Sequence, residues 1–217
     1  MKIMVTGSEG FICGYLVENL LDNGHEVIGI DNFSKYGEIK RSYSNNPNYT
    51  FIEGDVCDTN LLIDNLQDCD HLVASAAKIG GISYFHEYAY DLMAENERIM
   101  ASTFDAAIKA NQDYKLQKIT VLSSSMVYEN TKKYPTPEGD QLLSPPPFST
   151  YGFQKLAAEY FAKGAWEQYQ LPFTIARPFN CIGIGEGRAL GDVEIKSGNV
   201  KLAMSHVVPD LIQKVVK

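Results

Sequence analysis

The chain has 217 residues, of which 45% are hydrophobic and 21% are charged, so it is long and apolar enough to bury a sizeable core. Its net charge is -8 at pH 7 and its basic residues are scattered, which excludes nucleic acid as the main partner. No apolar run approaches the roughly 20 residues that a membrane-spanning helix needs, so we expect no membrane association.

Short apolar segments alternate with amphipathic segments along most of the chain. The apolar segments predict strands at residues 2–6, 26–30, 49–53, 71–74, 118–123 and 173–176. The amphipathic segments predict helices at residues 11–21, 60–66, 88–110 and 151–169. This alternation predicts an α/β protein with a Rossmann-type, doubly wound parallel sheet that is covered on both faces.

Two segments interrupt the alternation. Residues 129–149 hold five of the nine prolines, and residues 182–199 are rich in glycine, so we predict a loop at each. Long loops inside a compact domain are often functional. The four cysteines show no spacing typical of a zinc site, and we find no other metal cluster. We expect reduced cysteines in a cytoplasmic protein, and strand-like residues directly after Met1 leave no room for a signal peptide.

A glycine loop joins the first predicted strand to the first predicted helix. Gly7 and Gly10 allow the backbone to turn tightly and to approach a pyrophosphate, whose charge is favoured at a helix N-terminus. Asp31 ends the second predicted strand, where a carboxylate can accept both ribose hydroxyls of NAD and would repel the 2′-phosphate of NADP. Asp55 and Val56 follow the third strand, where an adenine edge would lie. An ordinary turn capped by Asp31 is the alternative, but signals at successive strand ends favour a dinucleotide site.

The pattern Tyr-x-x-x-Lys occurs four times, whereas composition alone predicts about one occurrence. The four pairs are Tyr36-Lys40, Tyr114-Lys118, Tyr128-Lys132 and Tyr151-Lys155. Only Tyr151 and Lys155 open a long predicted helix, where residues four apart share one face, and Ser149 is its expected N-cap. The other three pairs fall in loops or a turn, so we select Tyr151 and Lys155 as the functional pair.

A tyrosine with its ordinary pKa of about 10 is a poor base near neutral pH. We expect the Lys155 ammonium and a positively charged nicotinamide to lower the pKa of Tyr151. Tyr151 can then take the proton from a sugar hydroxyl while the nicotinamide takes the hydride.

These motifs resemble those of the extended short-chain dehydrogenases/reductases, in the NAD-dependent nucleotide-sugar epimerase/dehydratase group. The resemblance covers residues 2 to about 209, in the order of the family. The matching residues are Thr6-Gly7-x-x-Gly10-Phe11-Ile12, Asp31-Asn32-Phe33, Gly54-Asp55-Val56, Ala76-Ala77, Asn96, Ser123-Ser124-Ser125-x-Val127-Tyr128, Tyr151-x-x-x-Lys155 and Arg177-Pro178-Phe179-Asn180. One departure is Cys13, where the family usually has a glycine that allows close packing of helix and strand.

The resemblance implies roles for individual residues. Ser124 stands four residues before Tyr128, the position of the family's catalytic Ser or Thr, and would act with Tyr151 and Lys155. The implied NAD-binding residues are Gly7, Gly10, Phe11, Ile12, Asp31, Asn32, Asp55, Val56, Ala74, Ala76, Tyr151 and Lys155. The implied contacts to a nucleotide-sugar substrate come from Ser124, Asn180, His206 and Val207. Asn96 would support the site, with an exposed helix residue as the alternative.

The residue two positions before Tyr128 separates the subclasses of this family. Dehydratases and related decarboxylases have a glutamate there, and enzymes similar to GDP-fucose synthase have a cysteine. This chain has Met126, which cannot transfer a proton, although Cys181 is a candidate substitute. The resemblance therefore favours a 4-epimerase, which oxidises the sugar to a 4-keto form and reduces it again. A GDP-fucose synthase-like enzyme, which residues 76–82 resemble, or a sugar dehydratase is the alternative.

Relatives continue beyond the position where this sequence ends. We therefore expect residues 1–178 to form an NAD-binding domain with the catalytic residues, and residues 179–217 to form part of a substrate-binding lobe. An NAD-binding module without turnover is the rival hypothesis. The resemblance also implies a homodimer through the helices at residues 88–110 and 151–169.

Overall fold

The computed structural model describes residues 1–79 and 87–183. The strands are β1 (Lys2–Thr6), β2 (Glu26–Asp31), β3 (Tyr49–Glu53), β4 (His71–Ala74), β5 (Lys118–Leu122) and β6 (Phe173–Ala176). The helices are α1 (Phe11–Asp22), α2 (Thr59–Leu66), α3 (Ala89–Asp113) and α4 (Thr150–Tyr169). All ten predicted elements are confirmed, with ends that differ by at most three residues.

The six strands form one parallel sheet in the order β3-β2-β1-β4-β5-β6. The chain moves outward from β1 in one direction and then from β4 in the other, so the connections diverge between these two strands. A crevice at the carboxyl ends of the strands is expected at such a reversal. The predicted Rossmann-type, doubly wound sheet is therefore confirmed.

Alternate residues of β1 reach opposite faces of the sheet, as the strand period of two requires. Met4 packs in an apolar cluster with residues of α2, α3 and α4. Ile3 and Val5 pack in a second cluster with Val17 and Leu21 of α1. Helices therefore cover both faces, which explains why the strand sequences are apolar almost throughout.

The N-terminus of α4 is fixed by the residue that the sequence predicts. The Ser149 hydroxyl accepts a hydrogen bond from the Gly152 N–H at 3.0 Å, which confirms the N-cap. The predicted loop at residues 129–149 is irregular apart from one short 3-10 helix, Asp140–Leu142. The second predicted loop lies almost entirely outside the described residues. Over residues 1–79 and 87–183, no helix has the length and apolar character to cross a bilayer.

Candidate functional site

A cleft lies at the carboxyl ends of the strands, on both sides of the point where the strand order reverses. It is bordered by the loops after β1, β2, β3 and β4 and by the first turn of α4. The predicted cofactor residues in its lining are Gly7, Gly10, Phe11, Ile12, Asp31, Asn32, Asp55, Val56, Ala76, Tyr151 and Lys155. The fold therefore gathers into one cavity residues that lie up to about 150 positions apart in the sequence.

The glycine loop lies directly against the end of β4. The Thr6 hydroxyl accepts hydrogen bonds from the N–H groups of Ser75 and Ala76, each at 3.1 Å. Gly7 has φ of 70°, and a Cβ there would stand 3.0 Å from the Cα of Ala76. Gly10 caps α1 without a side-chain hydrogen bond. Backbone N–H groups at the start of α1 therefore face the cleft region, as binding of a diphosphate requires.

The Asp31 carboxylate lies at the edge of the cleft and is held by two backbone groups. One oxygen accepts a hydrogen bond from the Phe33 N–H at 2.8 Å, and the other accepts one from the Glu9 N–H at 3.1 Å. Burial raises the pKa of Asp31, and these hydrogen bonds oppose the increase. Each oxygen keeps a second lone pair that can accept a ribose hydroxyl. Asp31 therefore both ties down the glycine loop and faces the predicted ribose position.

Cys13, at the position where the family usually has glycine, fits the structure without disturbing the loop. Its side chain is 2% exposed and packs in the apolar cluster beside Val17. The thiol donates a hydrogen bond to the Ser75 hydroxyl at 2.9 Å, and burial raises the pKa of Cys13 to about 11. It is therefore a protonated packing residue that joins α1 to the end of β4.

The remaining predicted binding residues are not all placed at the cleft. Ala74 is 1% exposed, packs in the core and does not border the cavity. Asn180 is exposed beyond β6, after Pro178, which does border it. His206 and Val207 lie outside the described residues. The substrate contacts implied for these positions stay predictions.

The end of β5 and the first turns of α4 bring together the three predicted catalytic residues. Ser124 is 7% exposed, and its hydroxyl is hydrogen-bonded to that of Tyr151. The Lys155 ammonium donates a hydrogen bond to the Leu122 carbonyl at 2.9 Å. Its nitrogen lies 6.0 Å from the centre of the Tyr151 ring. Tyr151 and Lys155 border the end of the cleft opposite the loop after β2, whereas Ser124 does not border it and reaches it only through its hydrogen bond with Tyr151.

The sequence analysis expected Lys155 to lower the pKa of Tyr151. This expectation is wrong as far as the protein's own groups are concerned. Burial raises the pKa of Tyr151, and the hydrogen bond with Ser124 is the opposing influence. Burial also lowers the pKa of Lys155 to about 8. The physical reason is that both groups are desolvated, and the ammonium donates a hydrogen bond to the Leu122 carbonyl.

A buried ion pair that sequence analysis missed supports this catalytic end. The Glu159 carboxylate, on α4, accepts hydrogen bonds from the Arg177 guanidinium at 2.7 and 2.8 Å and from the Ser123 hydroxyl at 2.6 Å. Arg177 also donates to the Tyr128 hydroxyl at 2.7 Å. The network joins α4 and the end of β6 to Ser123, which precedes Ser124, and to Tyr128, which follows it. The sequence did contain a signal for this ion pair, because Glu159 follows Lys155 by four residues and so lies on the same, buried face of α4.

Asn96 holds the loop after β4. It is 2% exposed, its side-chain oxygen accepts from the Lys78 N–H at 2.8 Å, and its amide donates to the Lys78 carbonyl at 2.9 Å. The supporting role is therefore confirmed, and the exposed alternative is wrong. Lys78 also pairs with Glu95 at 2.6 Å, and both side chains border the cleft.

Comparison with known proteins agrees with this arrangement. The model of the NAD dependent epimerase/dehydratase family matches residues 3–217, so the chain belongs to that family. The chain is 28% identical to a UDP-glucose 4-epimerase of Lacticaseibacillus casei, over 98% of the chain and 59% of that protein. It is 25% identical to the human dTDP-D-glucose 4,6-dehydratase, over 84% of the chain and 51% of that protein.

Solved structures show the same fold. A UDP-glucuronic acid 4-epimerase from Bacillus cereus, in complex with NAD, has a TM-score of 0.68 and 30% identity, with 83% of this chain and 57% of that one covered. The chain therefore spans between about half and three fifths of the length of the relatives that it matches.

The cofactor is NAD, which the family requires and which the cleft residues fit. A Cβ at Gly7 would crowd the backbone of Ala76, and α1 begins without a side-chain cap, so its first N–H groups are left for a diphosphate. Asp31 ends β2 at the edge of the cleft, where a carboxylate can accept the hydroxyls of a ribose.

Proposed function

We propose that this chain is the NAD-binding and catalytic part of a nucleotide-sugar epimerase that acts at C4. The observation that carries the proposal is the pair of Tyr151 and Lys155 at one end of the cleft, with Ser124 hydrogen-bonded to Tyr151 behind them. A tyrosinate that accepts a hydrogen bond from a second hydroxyl can take a proton from a sugar alcohol, and the phenol formed in this way can return it. Epimerases among the relatives support this choice.

The residues of the chain divide the work as follows. The glycine loop and Asp31 would hold the diphosphate and the adenosine ribose, and Lys155 would hold the nicotinamide ribose. NAD supplies a carbon that accepts hydride from the sugar and returns it. Tyr151 would remove the proton from the sugar O4 and restore it after the ring has turned over. Ser124 would share a hydrogen bond with that oxygen and with Tyr151.

The position two residues before Tyr128 favours epimerisation over dehydration. Met126 lies in the 3-10 helix Ser125–Tyr128 and offers no group that can transfer a proton. Cys181, the other candidate, is exposed after β6 and does not border the cleft. A dehydratase needs a further acid and base near the sugar C5 and C6, and Met126 can serve as neither.

A second candidate is an NAD-binding module without turnover. It is favoured by one observation, namely that the chain matches only 51% to 59% of the length of its curated relatives. The two candidates make opposite predictions about turnover and the same prediction about NAD.

A substrate panel separates the candidates. We would measure NAD content of the purified protein and then assay UDP-, dTDP-, GDP- and CDP-hexoses for epimers and for dehydrated products. The proposal expects a C4 epimer from at least one nucleotide sugar. NAD binding with no product from any of them would support the module, and a 4-keto-6-deoxy product would support a dehydratase.

We further propose a cytoplasmic homodimer formed through α3 and α4. Exposed aromatic side chains on these helices support the interface: Tyr90 is 79%, Tyr160 is 54% and Trp166 is 44% exposed. Free cysteines fit a reducing compartment. Sedimentation equilibrium tests the assembly, and a monomer at micromolar concentration would contradict it.

A further inference from the structure

The glycine loop contains a buried carboxylate that NAD binding does not itself require. Glu9 is 5% exposed and borders the cleft between Gly7 and Gly10. One of its oxygens accepts a hydrogen bond from the Tyr49 hydroxyl at 2.8 Å. The other accepts one from Nε of Arg41 at 3.3 Å. A negative charge therefore stands inside the loop that is to receive a negatively charged diphosphate.

Arg41 binds the loop at more than this one point. Its Nη2 also donates to the Glu9 carbonyl and, at 3.3 Å, to the Gly10 carbonyl. The guanidinium packs on the first turn of α1, where a Cβ at Gly14 would stand 2.8 Å from Nη1. Glycine at position 14 thus leaves space for Arg41. A residue of the connection between β2 and β3 is in this way joined to the start of α1.

Geometry and charge together assign a role to this pair. A buried carboxylate without a partner is costly, and near a diphosphate it also opposes binding. The Arg41 side chain is 21% exposed and does not border the cleft, so its effect on the cofactor passes through Glu9 and the loop backbone. We propose that Arg41 is a positioning residue for NAD, which cancels the Glu9 charge and fixes the loop N–H groups toward the diphosphate.

The test is a cycle of variants titrated with NAD by calorimetry. Arg41→Met is expected to weaken NAD binding about tenfold, equal to about 1.4 kcal/mol. Glu9→Gln keeps an acceptor for Tyr49 and is expected to bind NAD within about threefold of wild type or more tightly. The double variant Glu9→Gln/Arg41→Met is expected to recover to within about threefold, because the charge that Arg41 cancels is gone.

Two further probes separate charge from general loosening of the loop. ADP-ribose contains the diphosphate and adenosine does not, so Arg41→Met is expected to weaken ADP-ribose binding and to leave adenosine binding unchanged. Lys109→Met removes the exposed pair of Lys109 with Asp113 and serves as the control, with no expected change in NAD affinity.

Three outcomes would overturn the proposal. They are wild-type NAD affinity in Arg41→Met, a double variant as weak as Arg41→Met, and equal losses for ADP-ribose and adenosine. If Arg41→Met does not fold, Arg41→Lys and Glu9→Gln decide the question. Arg41→Lys keeps the positive charge and is expected to bind NAD within about threefold of wild type. A tenfold loss in either of these two variants would contradict the role of charge.

Discussion

At the cofactor end of the cleft the chain presents mainly backbone groups, whereas at the catalytic end it presents buried side chains. Gly7, Gly10 and the start of α1 shape the first region, and Asp31 is held by two N–H groups. Ser124 and Lys155 are 7% and 6% exposed in the second region. Backbone groups suffice to bind a fixed diphosphate, but proton transfer needs groups that titrate.

The two regions also differ in how burial affects them. At the cofactor end, hydrogen bonds to the Asp31 carboxylate oppose the effect of burial on its pKa. At the catalytic end, burial alone lowers the pKa of Lys155 to about 8. We therefore expect substitutions at the catalytic end to change rate and pH dependence, and substitutions at the cofactor end to change affinity.

The largest expected effect is on the rate of the Tyr151→Phe variant. Loss of a general acid and base lowers turnover by about 10²- to 10⁴-fold, while the cleft for NAD is preserved. Epimerase assays and NAD titration on the same preparation measure both quantities. Tyr160→Phe, which changes an exposed phenol on the same helix, is the matched control. A normal rate in Tyr151→Phe would exclude the proposed mechanism.

The next effect is on the stability of the catalytic end. Arg177→Met leaves the Glu159 carboxylate buried without its partner, so we expect the free energy of unfolding to fall by about 3 kcal/mol. Urea denaturation measures it. The control is Lys163→Met, which removes an exposed pair with Glu167 and is expected to cost less than about 1 kcal/mol. Equal losses in the two variants would show that the buried network has no special role.

A smaller effect tests the backbone of the cofactor end. Gly7→Ala introduces a Cβ at positive φ and 3.0 Å from the Cα of Ala76, and we expect a loss of about 2 kcal/mol together with weaker NAD binding. Gly24 has a similar φ of 78° but open space around it. Gly24→Ala therefore isolates the backbone cost, expected at about 1 kcal/mol with unchanged NAD affinity. If both variants bind NAD equally well, contact with the end of β4 does not matter.

The last effect, which develops gradually with pH, is the pH dependence that Lys155 confers on stability. Its folded pKa of about 8 lies below its ordinary value of about 10.4, so between these pH values the unfolded chain binds more protons. The free energy of unfolding should then rise with pH across this window, by at most about 1.4 kcal/mol per unit. Subtracting the profile of Lys155→Met isolates this contribution. A flat difference from pH 8 to 10 would mean that Lys155 is not desolvated.

Local pattern determined which segments of this chain form strands and helices, and it determined the glycine loop and the choice of Tyr151 with Lys155. Strand and helix periodicities and a spacing of four on one helix are properties of neighbouring residues, so the sequence contains them directly. Ser149 as the N-cap of α4 was predictable for the same reason.

Tertiary structure alone decided the partners of the charged groups and the direction of the pKa shifts. Glu9 and Arg41 are 32 residues apart, and Glu159 and Arg177 are 18 apart, so no local pattern pairs them. Burial raises the pKa of Tyr151 against the expectation from its neighbour Lys155, because desolvation depends on everything packed around a group. The sequence thus determines which chemical groups the site contains, and tertiary packing determines their charge and protonation.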